Sequence, residues 1–110
     1  MIEGSCHCGA VRFELTSLPV DINSCNCSIC RRLGALWAYG TVDDIKVTGA
    51  TVGYIQGDKM LETHHCGICG CTTHWQGLGE DASRIVINAR LLDPEVLAAI
   101  PVRYSDGASW

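Results

Sequence analysis

The chain has 110 residues with a formal net charge of −4; 47% of its residues are hydrophobic and 18% charged. That length predicts one domain spanning residues 1–110, and the balance of apolar and charged residues excludes a disordered chain. Arg31 and Arg32 are the only adjacent basic pair, so the basic footprint of a nucleic-acid binder is missing and no nucleic-acid partner is expected. The N-terminal "MIEGSCHCGAVRFEL" has neither the basic nor the apolar region of a signal peptide. No apolar run approaches the roughly 20 residues of a membrane span. A cytoplasmic protein that does not engage a membrane is the expectation.

Along the chain, "AVRFEL" (10–15) alternates, placing Val11, Phe13 and Leu15 on one face and Arg12 and Glu14 on the other, which predicts a half-buried strand. "SICRRLG" (28–34) reads as a turn of helix closed by Gly34. "LWAYGTV" (36–42), "DIKVTG" (44–49), "TVGYIQ" (51–56), "MLETHHC" (60–66), "CTTHWQ" (71–76) and "RIVINA" (84–89) read as further strands. Gly49, Gly57-Asp58 and Gly77-Leu78-Gly79 punctuate them. "DPEVLAAI" (93–100) is the clearest helix, with Asp93 as N-cap, Pro94 at the first helical position and Pro101 as its stop. The sum is a mainly β fold, a small metal-stapled domain with one short C-terminal helix.

Eight cysteines fall in three clusters, "CHC" (6, 8), "CNCSIC" (25, 27, 30) and "CGICGC" (66, 69, 71). In a reducing compartment such clusters are metal ligands rather than disulfides. On a strand, residues i and i+2 share a side, so Cys6 and Cys8 would present two thiolates together, as would Cys25 and Cys27. The two-residue gaps from Cys27 to Cys30 and from Cys66 to Cys69 suit the tight turn that lets two sulfurs reach one tetrahedral ion. Spacing leaves the assignment open. Residues 6, 8, 66 and 69 can form one site and leave 25, 27, 30 and 71, or 6 and 8 can pair with 27 and 30. Two closed tetracysteine sites without chemistry are one outcome. The other is one closed site and one three-cysteine site with an open position.

"GSCHCGAVRFE", "CNCSICRRLGAL" and "HHCGICGCTTHW", in this order, with the late "NARLLD" and a closing Ser…Trp, resemble the glutathione-dependent formaldehyde-activating enzyme family, also called the centromere-protein-V-like family. The resemblance implies a β-tent fold and two zinc ions per chain. It implies that Cys6, Cys8, Cys66 and Cys69 hold a structural zinc, and that Cys25, Cys27 and Cys30 hold a second, catalytic one. It also implies a carbon–sulfur lyase that adds glutathione, or another small thiol, to formaldehyde or a related small aldehyde. The sequence departs from the family at Cys71, which is a candidate fourth ligand of the second zinc.

An open zinc position would lower the pKa of an incoming thiol and orient it towards a carbonyl. Arg31 and Arg32, just past Cys30, are candidate contacts for the carboxylates of the thiol, or simply a solvated, charge-balancing pair. The alternative function is a non-catalytic zinc-stapled protein-interaction module, which ligation by Cys71 would favour. A redox protein using Cys66 and Cys69 would require both thiols to be free of metal. His64 and His65 should point to opposite faces of their strand. They and His74 are expected to be structural or to support ligands, and His7 to face away from the metal. Trp37, Tyr39 and Trp75 are candidate walls of a pocket, or core.

Overall fold

The computed structural model describes residues 1–57 and 59–109. Asp58, from the expected Gly57-Asp58 turn, and Trp110, which ends the closing motif, lie outside the described residues. The order of elements is β1 (Ile2–Ser5), β2 (Arg12–Leu15), β3 (Ile22–Cys25), α1 (Ser28–Leu33), β4 (Trp37–Thr41), β5 (Ile45–Thr48) and β6 (Thr51–Ile55). Then come β7 (Leu61–Cys66), β8 (Thr72–Gly77), β9 (Arg84–Asn88), α2 (Pro94–Ala98) and β10 (Val102–Ser105). The fold is mainly β, as expected, with the C-terminal helix present as α2 and the helical turn at 28–34 as α1.

A small antiparallel sheet has the order β1-β2-β5, and a larger one the order β10-β3-β4-β9-β8-β7-β6. The alternation of side chains along β4 and β9 explains how the larger sheet serves two purposes. Ile85 and Ile87 face the small sheet and pack with Phe13, Leu15 and Ile45, as do Ile22 of β3 and Ala38 of β4. The residues between them in sequence, Val86 and Trp37, face the other way and pack with Ala35 and Trp75. Phe13, Ile22 and Ile87 are at most 1% exposed. Burial of that completeness contributes about 1.5–3 kcal/mol per side chain, enough for this layer to hold the two sheets together.

Helix α1 has only six residues, too few to persist without help. The Cys27 sulfur caps it, accepting from the Cys30 N–H at 3.5 Å, and Gly34 ends it at φ 67°, a left-handed conformation that costs glycine nothing. Helix α2 starts as expected: Asp93 Oδ1 accepts from the Glu95 N–H at 2.9 Å and Pro94 occupies the first turn. Among the described residues no helix is long and apolar enough to cross a membrane.

The strands differ from expectation at three places. β1 and β3 carry no apolar alternation, and in β10 the alternating Val102 and Tyr104 stay exposed; β10 runs parallel to β3 with Ser105 opposite Cys25, a pairing set by distant packing. Cys6 and Cys8 lie in the turn after β1 rather than on a strand. A register shift between His64 and His65 in the β7–β8 ladder interrupts the pleat, so both histidines are half-buried instead of one in and one out.

His64 and His74 stack with ring centroids 4.5 Å apart. Burial, then the neighbouring His64, pushes His74 down to about 4 from 6.5. The unfolded chain therefore binds a proton that the folded chain refuses between about pH 6.5 and 4, and folding is disfavoured as pH falls through that window. The stability advantage of the native protein over a His74→Gln variant is expected to shrink by about 2 kcal/mol between pH 6.5 and 5. Paired denaturant titrations at fixed metal concentration check this.

Candidate metal centre

Two groups of thiols gather, each with its sulfurs within 4.8 Å of one another: Cys6, Cys8, Cys66 and Cys69, and separately Cys25, Cys27 and Cys30. In the first, Cys6 and Cys8 come from the turn after β1, Cys66 ends β7, and Cys69 lies in the β7–β8 turn. The Sγ atoms of Cys6 and Cys8 are 3.7 Å apart and those of Cys8 and Cys66 3.6 Å. A zinc tetrahedron with bonds of about 2.3 Å has an edge of about 3.8 Å, so this spacing fits such an ion. Backbone N–H groups aim at the sulfurs: Val11 at Cys6 (3.3 Å) and Ile68 at Cys66 (3.4 Å).

Electrostatics within this group favours a bound cation. N–H groups of Cys71 and Cys8 hold the Cys69 thiol down to about 5. The Ala10 N–H favours the Cys8 thiolate, but desolvation and the neighbouring sulfurs of Cys66, Cys6 and Cys69 outweigh it and push Cys8 up to about 11. Clustered sulfurs cannot all ionise on their own, because each negative charge disfavours the next. A divalent ion removes that conflict.

The second group stands where β3 turns into α1. Cys25 ends β3, Cys27 caps α1 and Cys30 lies within it. Cys25 accepts from the Cys27 N–H at 3.4 Å, and Cys30 from the indole N–H of Trp37 at 3.3 Å. Burial, then the neighbouring Cys27, pushes Cys30 up to about 12 against the pull of that indole. The backbone of Gly107 lies against the triad: a Cβ there would be 2.7 Å from Cys25 Sγ and 2.8 Å from Cys27 Cβ.

All three thiols line a cavity of about 310 Å³, walled by Trp37, Trp75, Tyr39 and Leu61 and dotted with the polar side chains of Asn23, Ser28, Gln56 and Thr63. The expected aromatic trio does wall a pocket, and Trp37 and Trp75 are core residues as well. Cys71 packs with Cys6, Val11 and Cys66. It is not among the thiols gathered at Cys25, Cys27 and Cys30. Its backbone serves the first group instead, receiving the Cys66 N–H on its carbonyl at 2.9 Å and donating to Cys69.

Arg31 and Arg32 are exposed in the last turn of α1, where cations complement the helix end, and neither is a wall of the cavity. Arg32 donates to the Ser28 carbonyl at 2.7 Å. It also borders a groove that shares Ser28, Ile29 and Gln56 with the cavity. His7 is exposed, and neither His64, His65 nor His74 belongs to either group of thiols. Sequence reasoning missed Asn23, Gln56, Thr63 and Gly107. Only Asn23 left a signal there, lying two residues before Cys25 and hence on the same side of its strand.

The model of the family described as glutathione-dependent formaldehyde-activating enzyme matches residues 1–103. A protein of Halomonas elongata, named by inference a glutathione-dependent formaldehyde-activating enzyme, is 46% identical over 81 residues, covering 63% of this chain and 52% of that protein. The chain thus spans about half the length of this curated relative. A crystal structure of a Rhodobacter sphaeroides protein matches with a TM-score of 0.73 at 33% identity, covering 93% of this chain and 100% of that one.

The indole N–H on Cys30 yields a direct test of the triad as a metal site. Trp37→Phe keeps an aromatic ring but deletes the donor, and is expected to weaken metal binding there about tenfold while sparing the four-thiol group. Metal titration against a competing chelator resolves the two.

Proposed function

The chain belongs to the glutathione-dependent formaldehyde-activating enzyme family, and on that premise we propose that it is a zinc-dependent carbon–sulfur lyase. In this reading residues 1–110 act as one domain that adds glutathione or another small thiol to formaldehyde or a related small aldehyde. The observation that carries it is the contrast between the two groups of thiols. Four sulfurs close around one point, whereas three others line a cavity large enough for a small substrate.

Cys6, Cys8, Cys66 and Cys69 then hold a structural zinc, and Cys25, Cys27 and Cys30 a second one. Bound at the triad, zinc supplies a Lewis acid that keeps an incoming thiol ionised near neutral pH. The chain's own groups do the rest. The Trp37 indole and the backbone N–H groups of Cys27 and Cys30 fix the three sulfurs. Trp37, Trp75 and Leu61 exclude water from one side of the cavity. The thiol sulfur adds to the carbonyl carbon, the C=O π pair moves onto oxygen, and the proton given up by sulfur ends on that oxygen. Asn23, Ser28, Gln56, Thr63 and Tyr39 are wall groups available to hydrogen-bond it. Arg32, at the adjoining groove, is a candidate contact for a carboxylate of the thiol, and Arg31 beside it a weaker one.

The packing of Cys71 with Cys6, Val11 and Cys66 supports this reading over the alternative, a closed, non-catalytic module in which Cys71 is the fourth ligand of the second zinc. Zinc-loaded protein is expected to accelerate the interconversion of ¹³C-formaldehyde and its glutathione adduct, read by NMR exchange spectroscopy. Cys30→Ser, shown by circular dichroism to be folded, should return it to the uncatalysed rate. An uncatalysed rate with the native, fully loaded protein would remove the enzymatic reading.

A further inference from the structure

Beside the thiol cavity lies a second groove of about 450 Å³ in which Arg84 and Arg103 face Asn23, Tyr39 and Ser105. Asn23 and Tyr39 are walls of both, so the two spaces meet across a shared partition. Among the described residues the thiol cavity has no charged wall besides its cysteines; the groove brings two guanidinium groups and one carboxylate, Asp21, in a chain whose net charge is −4.

The aromatic partition fixes both cations. The guanidinium carbon of Arg84 lies 5.4 Å from the ring centroid of Tyr39 and 5.3 Å from that of Trp75, and that of Arg103 lies 5.3 Å from Tyr39. Arg103 is already engaged, with Nε 3.2 Å from Asp21 Oδ1. Among the described residues Arg84 has no carboxylate partner. Stacking alone would account for the place of Arg84, but it leaves its fork of N–H donors unused.

A second observation points to a ligand. Asn23 is 3% exposed, and its amide donates to the Tyr39 hydroxyl at 2.9 Å. Its Oδ1 nevertheless has no hydrogen-bond partner, and neither has the buried Oγ of Ser105. Both residues line the groove. A buried polar atom left unpaired is costly, and such atoms in a native fold call for a partner. Two acceptors beside a free guanidinium suit a molecule with a carboxylate and nearby N–H donors.

We propose that this groove is the recognition half of the thiol site: Arg84 binds the carboxylate of an amino-acid or peptide thiol, and Asn23 Oδ1 and Ser105 Oγ receive its N–H groups. The inference rests on the thiol-addition reading of the adjoining cavity. It makes Arg84 the residue that separates carboxylate-bearing thiols from neutral ones such as 2-mercaptoethanol.

S-methylglutathione, whose sulfur is blocked, isolates the groove from chemistry at the triad. Calorimetric titration of the zinc-loaded chain with this probe is expected to saturate, and Arg84→Gln to weaken it about tenfold or more, the effect of one charge-assisted pair. The dimethyl ester of the probe should bind native protein as weakly as the acid binds the variant. Arg84→Lys should recover part of the loss, and Lys46→Gln, an equal charge change on the small sheet, none of it should appear. Equal affinity in native protein and Arg84→Gln, or no saturable binding to either, overturns the proposal. Binding that depends on Arg84 without any formaldehyde chemistry upholds the groove and removes the lyase reading. Chemistry with binding indifferent to Arg84 does the reverse.

Discussion

Sulfur atoms held within 4.8 Å of one another repel as thiolates and waste their polarity as thiols, and the rest of the structure depends on how that conflict is managed. At both groups the answer starts in the backbone. N–H groups of Val11, Ile68, Cys27 and Cys30 turn towards sulfurs two to five residues away, a local arrangement that favours negative charge before any cation is considered. The two groups then diverge. One joins the turn after β1 to the β7–β8 turn and so ties the small sheet to the large one; the other stands at a cavity mouth.

That divergence follows from the two faces of β4 and β9. Trp37 and Val86 point to the cavity side while their neighbours Ala38, Ile85 and Ile87 fill the layer between the sheets. The residue that walls the cavity and donates to Cys30 is therefore also fixed by the core. The parallel pairing of β10 with β3 adds the other side. It sets Ser105 opposite Cys25 and Arg103 opposite Asn23, and carries the chain on to Gly107 against the triad. A terminal segment of little apolar character thus supplies the close approach and part of the polar groove.

The strands with clean alternation or strong β composition, such as "AVRFEL" and "RIVINA", were legible in the sequence, as were α2 with its Asp93 cap and the turn of helix closed by Gly34, though not the capping of α1 by Cys27. So were the three cysteine clusters, because ligand chemistry constrains spacing more tightly than packing does. Spacing left the partition of the eight sulfurs open, and only the family resemblance implied four and three, with Cys71 as a candidate fourth ligand of the second group. The partition depends on which turns meet in space: Cys69 and Cys71 pack against the same apolar cluster, yet only the Cys69 sulfur gathers with those of Cys6, Cys8 and Cys66. Arg31 and Arg32 follow Cys30 in sequence, but a helix carries successive side chains around its axis, so neither walls the cavity and Arg32 borders the adjoining groove instead. Arg84, remote in sequence, is brought near it by sheet order alone. Its signal could not have been read without knowing that β9 neighbours β4.

The most direct test of the central claim, one closed thiol site and one open towards a cavity, is cobalt substitution followed by glutathione addition. Thiolate-to-cobalt charge-transfer bands report sulfur ligands at each ion. Two equivalents of cobalt are expected to bind, and glutathione should raise those bands saturably as a further sulfur enters the second site. Cys30→Ser should abolish the response. A spectrum already showing four sulfurs at both ions and indifferent to glutathione would contradict the account.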